Sequence, residues 1–121
     1  MKYLLIVAHG SRRTESNDEV RELTQRIKVE SGPEFADVRC AFLELADPLI
    51  PDAVIECIKN GATEVVVLPY FLSAGRHVVT DIPSEVAKAQ QQHPEVKVTI
   101  APYLGSMEAI PSLMAQHAAN L

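Results

Sequence analysis

Residues 64–77 read Glu-Val-Val-Val-Leu-Pro-Tyr-Phe-Leu-Ser-Ala-Gly-Arg-His (EVVVLPYFLSAGRH), an apolar run that passes through a loop and ends in a histidine. The run 64–68 is rich in β-branched and aliphatic residues and lacks the polar alternation of a half-exposed strand. This pattern indicates a strand that is buried on both faces, as in the centre of a parallel sheet. The sequence therefore predicts that the loop 69–76 and His77 follow the carboxyl end of a central strand.

A second stretch near the start of the chain has the same design. The apolar run Tyr3–Ala8 leads directly into His9, Gly10, Ser11 and Arg12. Parallel strands end at the same edge of a sheet, and ligands bind in the crevice outside that edge. We therefore expect His9 and His77 to lie close together although they are far apart in the chain.

The rest of the chain alternates between segments with strand and helix patterns. Predicted strands cover 3–8, 37–44, 64–68 and 96–101, and predicted helices cover 14–30, 49–59, roughly 78–92 and 107–120. Right-handed crossovers between such units force a mainly parallel sheet. We predict an α/β fold: a single flavodoxin-like three-layer domain over residues 1–121, with a four-stranded parallel sheet in the order 2-1-3-4.

The third helix is the least regular of these elements. Pro83 lies inside it and must occupy the first turn or mark a break, because proline cannot donate a backbone hydrogen bond. Asp81 is the plausible N-cap of the helix that follows.

Composition narrows the class of protein. The 121 residues are 47% hydrophobic and 22% charged, as in a globular domain. A net charge of −5 argues against a general nucleic-acid binder or a binder of anionic membranes, which would need a basic face. The run Tyr3–Ala8 is too short for a membrane span and is followed by no cleavage site, so we expect a cytoplasmic location. Cys40 and Cys57 lack zinc-site spacing and are predicted to be reduced thiols.

Three side chains at the predicted crevice could carry chemistry. His9 follows strand one, His77 follows strand three after its loop, and Glu44 ends strand two. Two imidazoles and a carboxylate can bind a divalent ion such as cobalt, nickel, iron or zinc, and they can also accept protons. A single histidine at a strand end is more often hydrogen-bonded to backbone, but two that converge on one crevice favour a functional site. His93 and His117 lie on predicted helix surfaces and are assigned no role.

Three arginines flank the same crevice in an otherwise acidic chain: Arg12, Arg13 and Arg76. Single arginines are usually solvent-exposed. Three beside one cleft indicate a substrate rich in carboxylates, which the guanidinium binds through forked hydrogen bonds.

The serines and glycines of the two loops are interpreted as loop-forming residues that contact the substrate. Ser11 and Ser73 lack the G-x-S-x-G context of a nucleophile and are expected to hydrogen-bond loop backbone. Gly10 and Gly75 fit tight turns that let the chain approach a ligand, but their spacing forms no nucleotide-binding motif. Ser11, Ser73 and Gly75 thus join the arginines as candidate substrate-binding residues.

Three stretches together resemble one known family, and the resemblance extends over nearly the whole chain. LLIVAHGSR at 4–12, AFLELADP at 41–48 and VVVLPYFLSAGRHVVTDIP at 65–83 are similar to the small sirohydrochlorin chelatases, the short CbiX-like proteins of the class II chelatases. The resemblance implies insertion of Co²⁺, Fe²⁺ or Ni²⁺ into the tetrapyrrole sirohydrochlorin, in cobalamin or sirohaem biosynthesis, with no cofactor beyond the substrate metal ion.

The resemblance also implies roles for individual residues and an assembly. By position, His9 and His77 correspond to the metal-binding and proton-accepting pair, and Glu44 to the acidic residue that completes the site. Longer members contain two such units, so a single unit implies a homodimer. The apolar residues around His77 are candidates for its interface: Tyr70, Phe71, Leu72, Val78 and Val79. The histidine-rich tail of some members has no counterpart here.

Two other readings of the same residues stay open. A His-Gly pair after strand one also occurs in histidine phosphatases, but those enzymes carry an arginine before the pair, where this chain has Ala8. A carrier of metal or tetrapyrrole could use the same histidines and Glu44 without turnover. An absorbance assay with sirohydrochlorin and a metal ion separates the carrier from the chelatase.

Overall fold

The computed structural model describes residues 1–121, and its centre is a single parallel sheet. Its strands are β1 (Lys2–Ala8), β2 (Asp37–Phe42), β3 (Glu64–Pro69) and β4 (Lys97–Ile100). They pair in the order β2-β1-β3-β4, so β1 and β3 are interior strands and β4 lies at an edge. The predicted α/β class and strand order are confirmed.

Four helices connect or follow these strands. They are α1 (Thr14–Glu30), α2 (Ile50–Lys59), α3 (Ile82–Gln90) and α4 (Ala109–Ala119), with 3₁₀ turns at Gly32–Glu34 and Leu104–Ser106. None of the helices has the length and hydropathy needed to cross a bilayer.

One face of the sheet carries the main core. Side chains of Leu5, Val7, Val65 and Val67 are fully buried there. They pack with Ile50, Ala53, Val54 and Cys57 of α2 and with Ile82, Val86 and Ala89 of α3. The helical spacing of these apolar residues explains why α2 and α3 both lie on this face.

The other face is only half covered. Helix α1 packs beside β2 and buries Leu4, Ile6 and Val38 with help from Ile27. No residue of α4 is buried, and Val66 of β3 stays partly exposed. The expected third layer is therefore incomplete over β3 and β4.

The segment before α3 differs from the prediction of a simple helix. Residues His77–Asp81 form a π-helical turn, in which Ile82 N–H donates to the His77 carbonyl. Pro83 then lies in the first turn of α3, where its missing N–H removes no required bond. Asp81 makes no capping hydrogen bond, so its predicted N-cap role is wrong. Its carboxylate instead accepts a hydrogen bond from Nδ1 of His77.

Strand β2 ends at Phe42, two residues before the predicted boundary. The chain turns just beyond, where Leu45 adopts a left-handed φ of 67°. Leu43 N–H still donates to the Ala8 carbonyl and Glu44 N–H to the His9 carbonyl, at 3.0 and 3.1 Å. Glu44 therefore stays attached to the end of β1.

The two cysteines are free thiols. Cys57 is fully buried in α2, and burial raises the pKa of its thiol to about 11. It therefore carries a proton at neutral pH and is not available as a thiolate ligand.

Asp37 at the start of β2 ties α1 to the sheet. Its carboxylate accepts from Lys28 Nζ at 2.8 Å, Arg39 Nε at 2.9 Å and the Val38 N–H at 2.8 Å. Burial opposes ionisation, but these hydrogen bonds outweigh it and hold the pKa of Asp37 below its usual value.

We predict that Asp37→Asn lowers the free energy of unfolding by about 1–2 kcal/mol at neutral pH, because charge-assisted hydrogen bonds are lost. A carboxylate whose pKa is lower in the folded state stabilises above its unfolded pKa, and this contribution disappears as the pH falls through the folded pKa. Urea unfolding should therefore show the difference shrinking as the pH falls below ~3.9, the usual pKa of an aspartate in an unfolded chain. The exposed Asp18, paired with Arg21, provides the control: Asp18→Asn should have little effect at either pH.

Candidate functional site

The carboxyl edges of β1 and β3 bring the two predicted histidines together. The strands are paired in register through Val7 and Pro69, and Tyr70 N–H then donates to the Val7 carbonyl at 2.7 Å. The imidazole centroids of His9 and His77 lie 4.6 Å apart with an interplanar angle of 61°. Both side chains are about 41% exposed, so solutes can reach them.

His9 is held in one tautomer by the loop that follows it. Its Nδ1 lies 2.9 Å from the Gly10 carbonyl oxygen, which can only accept, so Nδ1 carries the hydrogen. Nε2 then points at Glu44 Oε2, 3.1 Å away. Two lone pairs would face each other there unless a proton or a cation lies between them. The pair is therefore a ready acceptor of one positive charge.

Gly10 allows this close approach. Its φ of 94° is left-handed, and a Cβ at this position would lie 1.8 Å from the Glu44 carbonyl oxygen. Only glycine lets the loop after β1 pass so close to the end of β2. The tight turn predicted at Gly10 is confirmed, and the group that the chain approaches there is the Glu44 carbonyl.

His77 is oriented by Asp81, which sequence reasoning did not place in the site. Nδ1 of His77 lies 2.8 Å from Asp81 Oδ2, and an ionised carboxylate accepts that hydrogen. Nε2 is left with a free lone pair. A carboxylate that holds the far nitrogen of a histidine is the usual support of a metal-binding imidazole. The four-residue spacing on a helix was the available signal, since such side chains are neighbours.

The histidine pair lies between two depressions of opposite character. On the His77 side is an acidic recess of about 270 Å³, lined by Leu43, Glu44, His77, Asp81, Ser84 and Glu85. On the His9 side is a crevice of about 420 Å³, largely apolar, whose lining includes Val20, Phe42, Tyr70, Phe71 and Leu72. The acidic recess suits a cation, and the apolar crevice suits a large ring.

The three predicted metal ligands do not form a preassembled cage. No three side chains of histidine, cysteine, aspartate or glutamate are grouped to hold an ion. The reason is that Nε2 of His9 faces Glu44 while Nδ1 of His77 faces Asp81. The structure thus presents two imidazole–carboxylate pairs that meet through their rings.

The three arginines are exposed around this edge. Arg13 makes a loose contact of 3.8 Å with Glu15, whereas Arg12 and Arg76 make no ion pair. Arg76 directly precedes the π-helical turn. All three are therefore free to meet an anionic ligand.

The predicted loop residues divide into two groups. Ser11 Oγ accepts from the Arg13 N–H at 3.0 Å, as expected of a serine that orders a loop. Ser73 makes no side-chain hydrogen bond, so the backbone bond expected of it is absent. Gly75 has an ordinary φ and open space around it, so its conformation does not require glycine.

Asn17 is a second residue that sequence reasoning missed. Its buried side-chain amide bonds Ser11 twice: Oδ1 accepts from Ser11 N–H at 2.9 Å and Nδ2 donates to Ser11 O at 2.8 Å. These bonds lock the loop of His9 onto α1. The sequence signal for this role was the position of Asn17 in the buried stripe of α1, because a buried polar side chain needs hydrogen-bond partners.

Of the apolar residues near His77 that were predicted to form an interface, some are buried and others are exposed. Phe71 packs against the main core, and Val78 is partly buried. Tyr70, Leu72 and Val79 remain exposed by 40%, 68% and 66%. Tyr70 and Leu72 line the crevice with His9, whereas Val79 lies on the π-helical turn that begins at His77.

Comparisons with known proteins agree on one family. Residues 3–121 match the protein-family model CbiX. The chloroplastic sirohydrochlorin ferrochelatase of Arabidopsis thaliana is 43% identical over 102 residues, which are 84% of this chain and 44% of that protein. The sirohydrochlorin cobaltochelatase of Methanocaldococcus jannaschii is 33% identical over 93 residues, covering 77% of this chain and 64% of that protein.

A solved structure shows the same fold. The sirohydrochlorin chelatase SirB from Bacillus subtilis subspecies spizizenii in complex with cobalt superposes with a TM-score of 0.85 at 26% identity. The match covers 99% of this chain and 50% of that one. The chain thus spans about half the length of these relatives.

We predict that Gly10→Ala lowers the free energy of unfolding by at least about 2 kcal/mol, because a Cβ would combine left-handed strain with overlap on the Glu44 carbonyl. Gly32→Ala is the matched control, since Gly32 is also left-handed but has nothing within 4 Å. It should cost only the backbone term of about 1 kcal/mol. Equal losses in urea unfolding would mean that the contact with Glu44 contributes nothing.

Proposed function

This chain belongs to the CbiX family, and from that membership we propose that it is a sirohydrochlorin chelatase that inserts a divalent metal ion into the ring. Co²⁺ is the first choice, with Fe²⁺ or Ni²⁺ as alternatives, in cobalamin or sirohaem biosynthesis. The observation that carries the proposal is the histidine pair, with centroids 4.6 Å apart, between an acidic recess and an apolar crevice. Metal ion and tetrapyrrole are both substrates here, and no other cofactor is needed.

The proton balance of the reaction fits the two pairs. A dication that enters a tetrapyrrole displaces the protons of two ring N–H groups. His9 with Glu44 can take one proton, and His77 with Asp81 can take the other. Histidine is suited to this step because it exchanges protons near neutral pH.

The geometry supports different roles for the two histidines. His77 presents a free Nε2 and has its Nδ1 held by Asp81, which is the arrangement of a metal-ligating imidazole. Nε2 of His9 is already directed at Glu44, so this pair is placed to accept the first ring proton. As the ion moves into the ring it leaves His77, and the freed imidazole, held by Asp81, takes the second ring proton.

The two substrates would approach from opposite sides. The cation enters through the recess of Glu44, Asp81 and Glu85, where negative charge concentrates it. The ring lies with one face against the apolar crevice, and its peripheral carboxylates reach Arg12, Arg13 and Arg76. The ring nitrogens then lie over the histidines.

We propose that the working unit is a homodimer. The crevice is open on one side, whereas ligand sites usually bury most of the ligand. The exposed Tyr70 and Leu72 line this crevice, and the exposed Val79 lies on the turn that begins at His77. A second copy related by a two-fold axis would supply the missing wall.

An anaerobic absorbance assay tests the activity directly. Purified protein should accelerate the spectral change of sirohydrochlorin with Co²⁺, Fe²⁺ or Ni²⁺ above the spontaneous rate. The metal with the highest rate identifies the pathway. Binding of the ring without acceleration would instead identify a carrier.

Replacing the histidines should separate chemistry from fold. His9→Ala and His77→Ala should each lower kcat by about 100-fold or more, because each removes a proton acceptor or ligand. Glu44→Gln should act more weakly. His93→Ala and His117→Ala, outside the site, are the controls and should retain activity. A folded His9→Ala or His77→Ala protein with full turnover would refute the site.

Replacing the arginines should act on substrate binding. Arg12→Ala, Arg13→Ala and Arg76→Ala should raise KM for sirohydrochlorin with little change in kcat, and added salt should mimic them because exposed ion pairs are screened. Arg26→Ala, on the exposed surface of α1, is the matched control. If KM and its salt dependence stay the same in all three variants, the carboxylate-binding role is wrong.

A further inference from the structure

The last helix has an unused apolar stripe. Ile110, Leu113 and Met114 follow helical spacing, and the last two are 60% and 61% exposed; Leu121, just beyond the helix, is fully exposed. The helix packs chiefly against the 3₁₀ turn Leu104–Ser106 that precedes it. Residues 109–121 also contain no lysine, arginine, aspartate or glutamate. A solvated helix normally carries such charges, so α4 has the composition of a packed helix without a packing partner.

The sheet has a matching unused surface. On the side covered by α1, Val66 and Leu68 of β3 are only partly buried, and Thr99 of β4 is exposed. The same strand buries Val65 and Val67 completely on its other side. A groove of about 540 Å³ lies along the carboxyl half of α1 and is lined by Leu23, Ile27 and Val29 together with Arg26, Glu30 and Ser31. One more helix is needed to close this layer.

The path of the chain directs α4 away from its own sheet. After β4, the 3₁₀ turn is fixed to the loop that follows β3, because Gly105 N–H donates to the Phe71 carbonyl at 3.0 Å. A Cβ on Gly105 would lie 1.8 Å from the Leu72 carbonyl oxygen, so this contact is close. Helix α4 therefore leaves from the rim of the crevice, on the side where the proposed homodimer places the second copy.

We infer that the occupant of the open face is α4 of a second copy of this chain. The inference rests on the homodimer proposed above and adds its interface. Each chain carries one unpartnered helix and one uncovered half-face, so a two-fold axis satisfies both reciprocally. The stripe of α4 packs on Val66, Leu68 and Thr99 of the partner. The exchange completes the third layer of both chains and fixes the two crevices opposite each other.

Disulfide trapping tests the exchange. The variant Thr99→Cys/Leu113→Cys, in a Cys40→Ser background, changes two exposed positions and leaves only the buried Cys57 besides them. Mild oxidation should give a covalent dimer on a non-reducing gel. A covalent monomer would show that α4 folds onto its own sheet, and the absence of any cross-link would show that it does not reach this face. Either result overturns the inference.

Substitutions on the stripe provide a second test. Met114→Asp should weaken the dimer by at least about tenfold in light scattering, since a charge enters an apolar contact. Ser112→Asp, at an exposed position on the opposite side of the same helix, is the matched control and should leave the dimer intact. A monomeric wild-type protein, or equal dimers in both variants, would overturn the exchange.

The same samples separate this inference from the proposed function. Chelatase rates measured on the wild-type protein report the activity, whereas trapping reports the helix. A trapped dimer without chelatase activity would refute the function and leave the exchange standing. An active protein that forms no intermolecular cross-link would refute the exchange and leave the proposed function standing.

Discussion

The parallel pairing of β1 with β3 is the constraint on which the rest of the structure depends. It makes β1 the partner of both β2 and β3, so three carboxyl ends lie side by side. The residue that follows each end is then close to the others: His9 after β1, Glu44 after β2 and the loop to His77 after β3. This pairing is driven by burial of uninterrupted aliphatic runs, which is a core-forming interaction with no chemistry of its own. The site is a consequence of how the core closes.

The chemistry then depends on short polar contacts at the ends of those runs. Gly10 brings the Glu44 backbone against the His9 loop, and Asn17 holds the same loop on α1 through Ser11. The π-helical turn places Asp81 behind His77. Such widened turns often occur at functional sites, where they re-aim a side chain at some cost in helix geometry. Each imidazole thus has one nitrogen occupied, and the remaining nitrogen and its neighbour determine what it can bind.

The sequence predicted the strand order and the meeting of the two histidines, because both follow from apolar runs and the rules of parallel sheets. It did not predict the partner of His77, because Asp81 also fits an N-cap by composition, although its four-residue spacing from His77 allows the contact on a helix. Pro83 showed that the helix is irregular but not how. The isolation of α4 was also hidden, since its apolar stripe is that of any packed helix. Local patterns report which surface a helix buries and not which chain it packs against.

The distribution of charge is compatible with the anionic substrate proposed for this acidic chain. The net charge of −5 repels a polycarboxylate at long range, but screening limits that repulsion to about a Debye length, ~8–10 Å. Within that distance, the positions of individual charged side chains determine whether an anion is attracted or repelled. Arg12 and Arg13 follow the loop after β1, Arg76 directly precedes His77, and Glu44, Asp81 and Glu85 line the recess beside His77. Charges of both signs thus lie beside the histidine pair. Under the proposed function, the acidic recess would draw the dication and the arginines would hold the anionic ring, so both substrates would reach the two imidazoles at which two protons are exchanged for one metal ion.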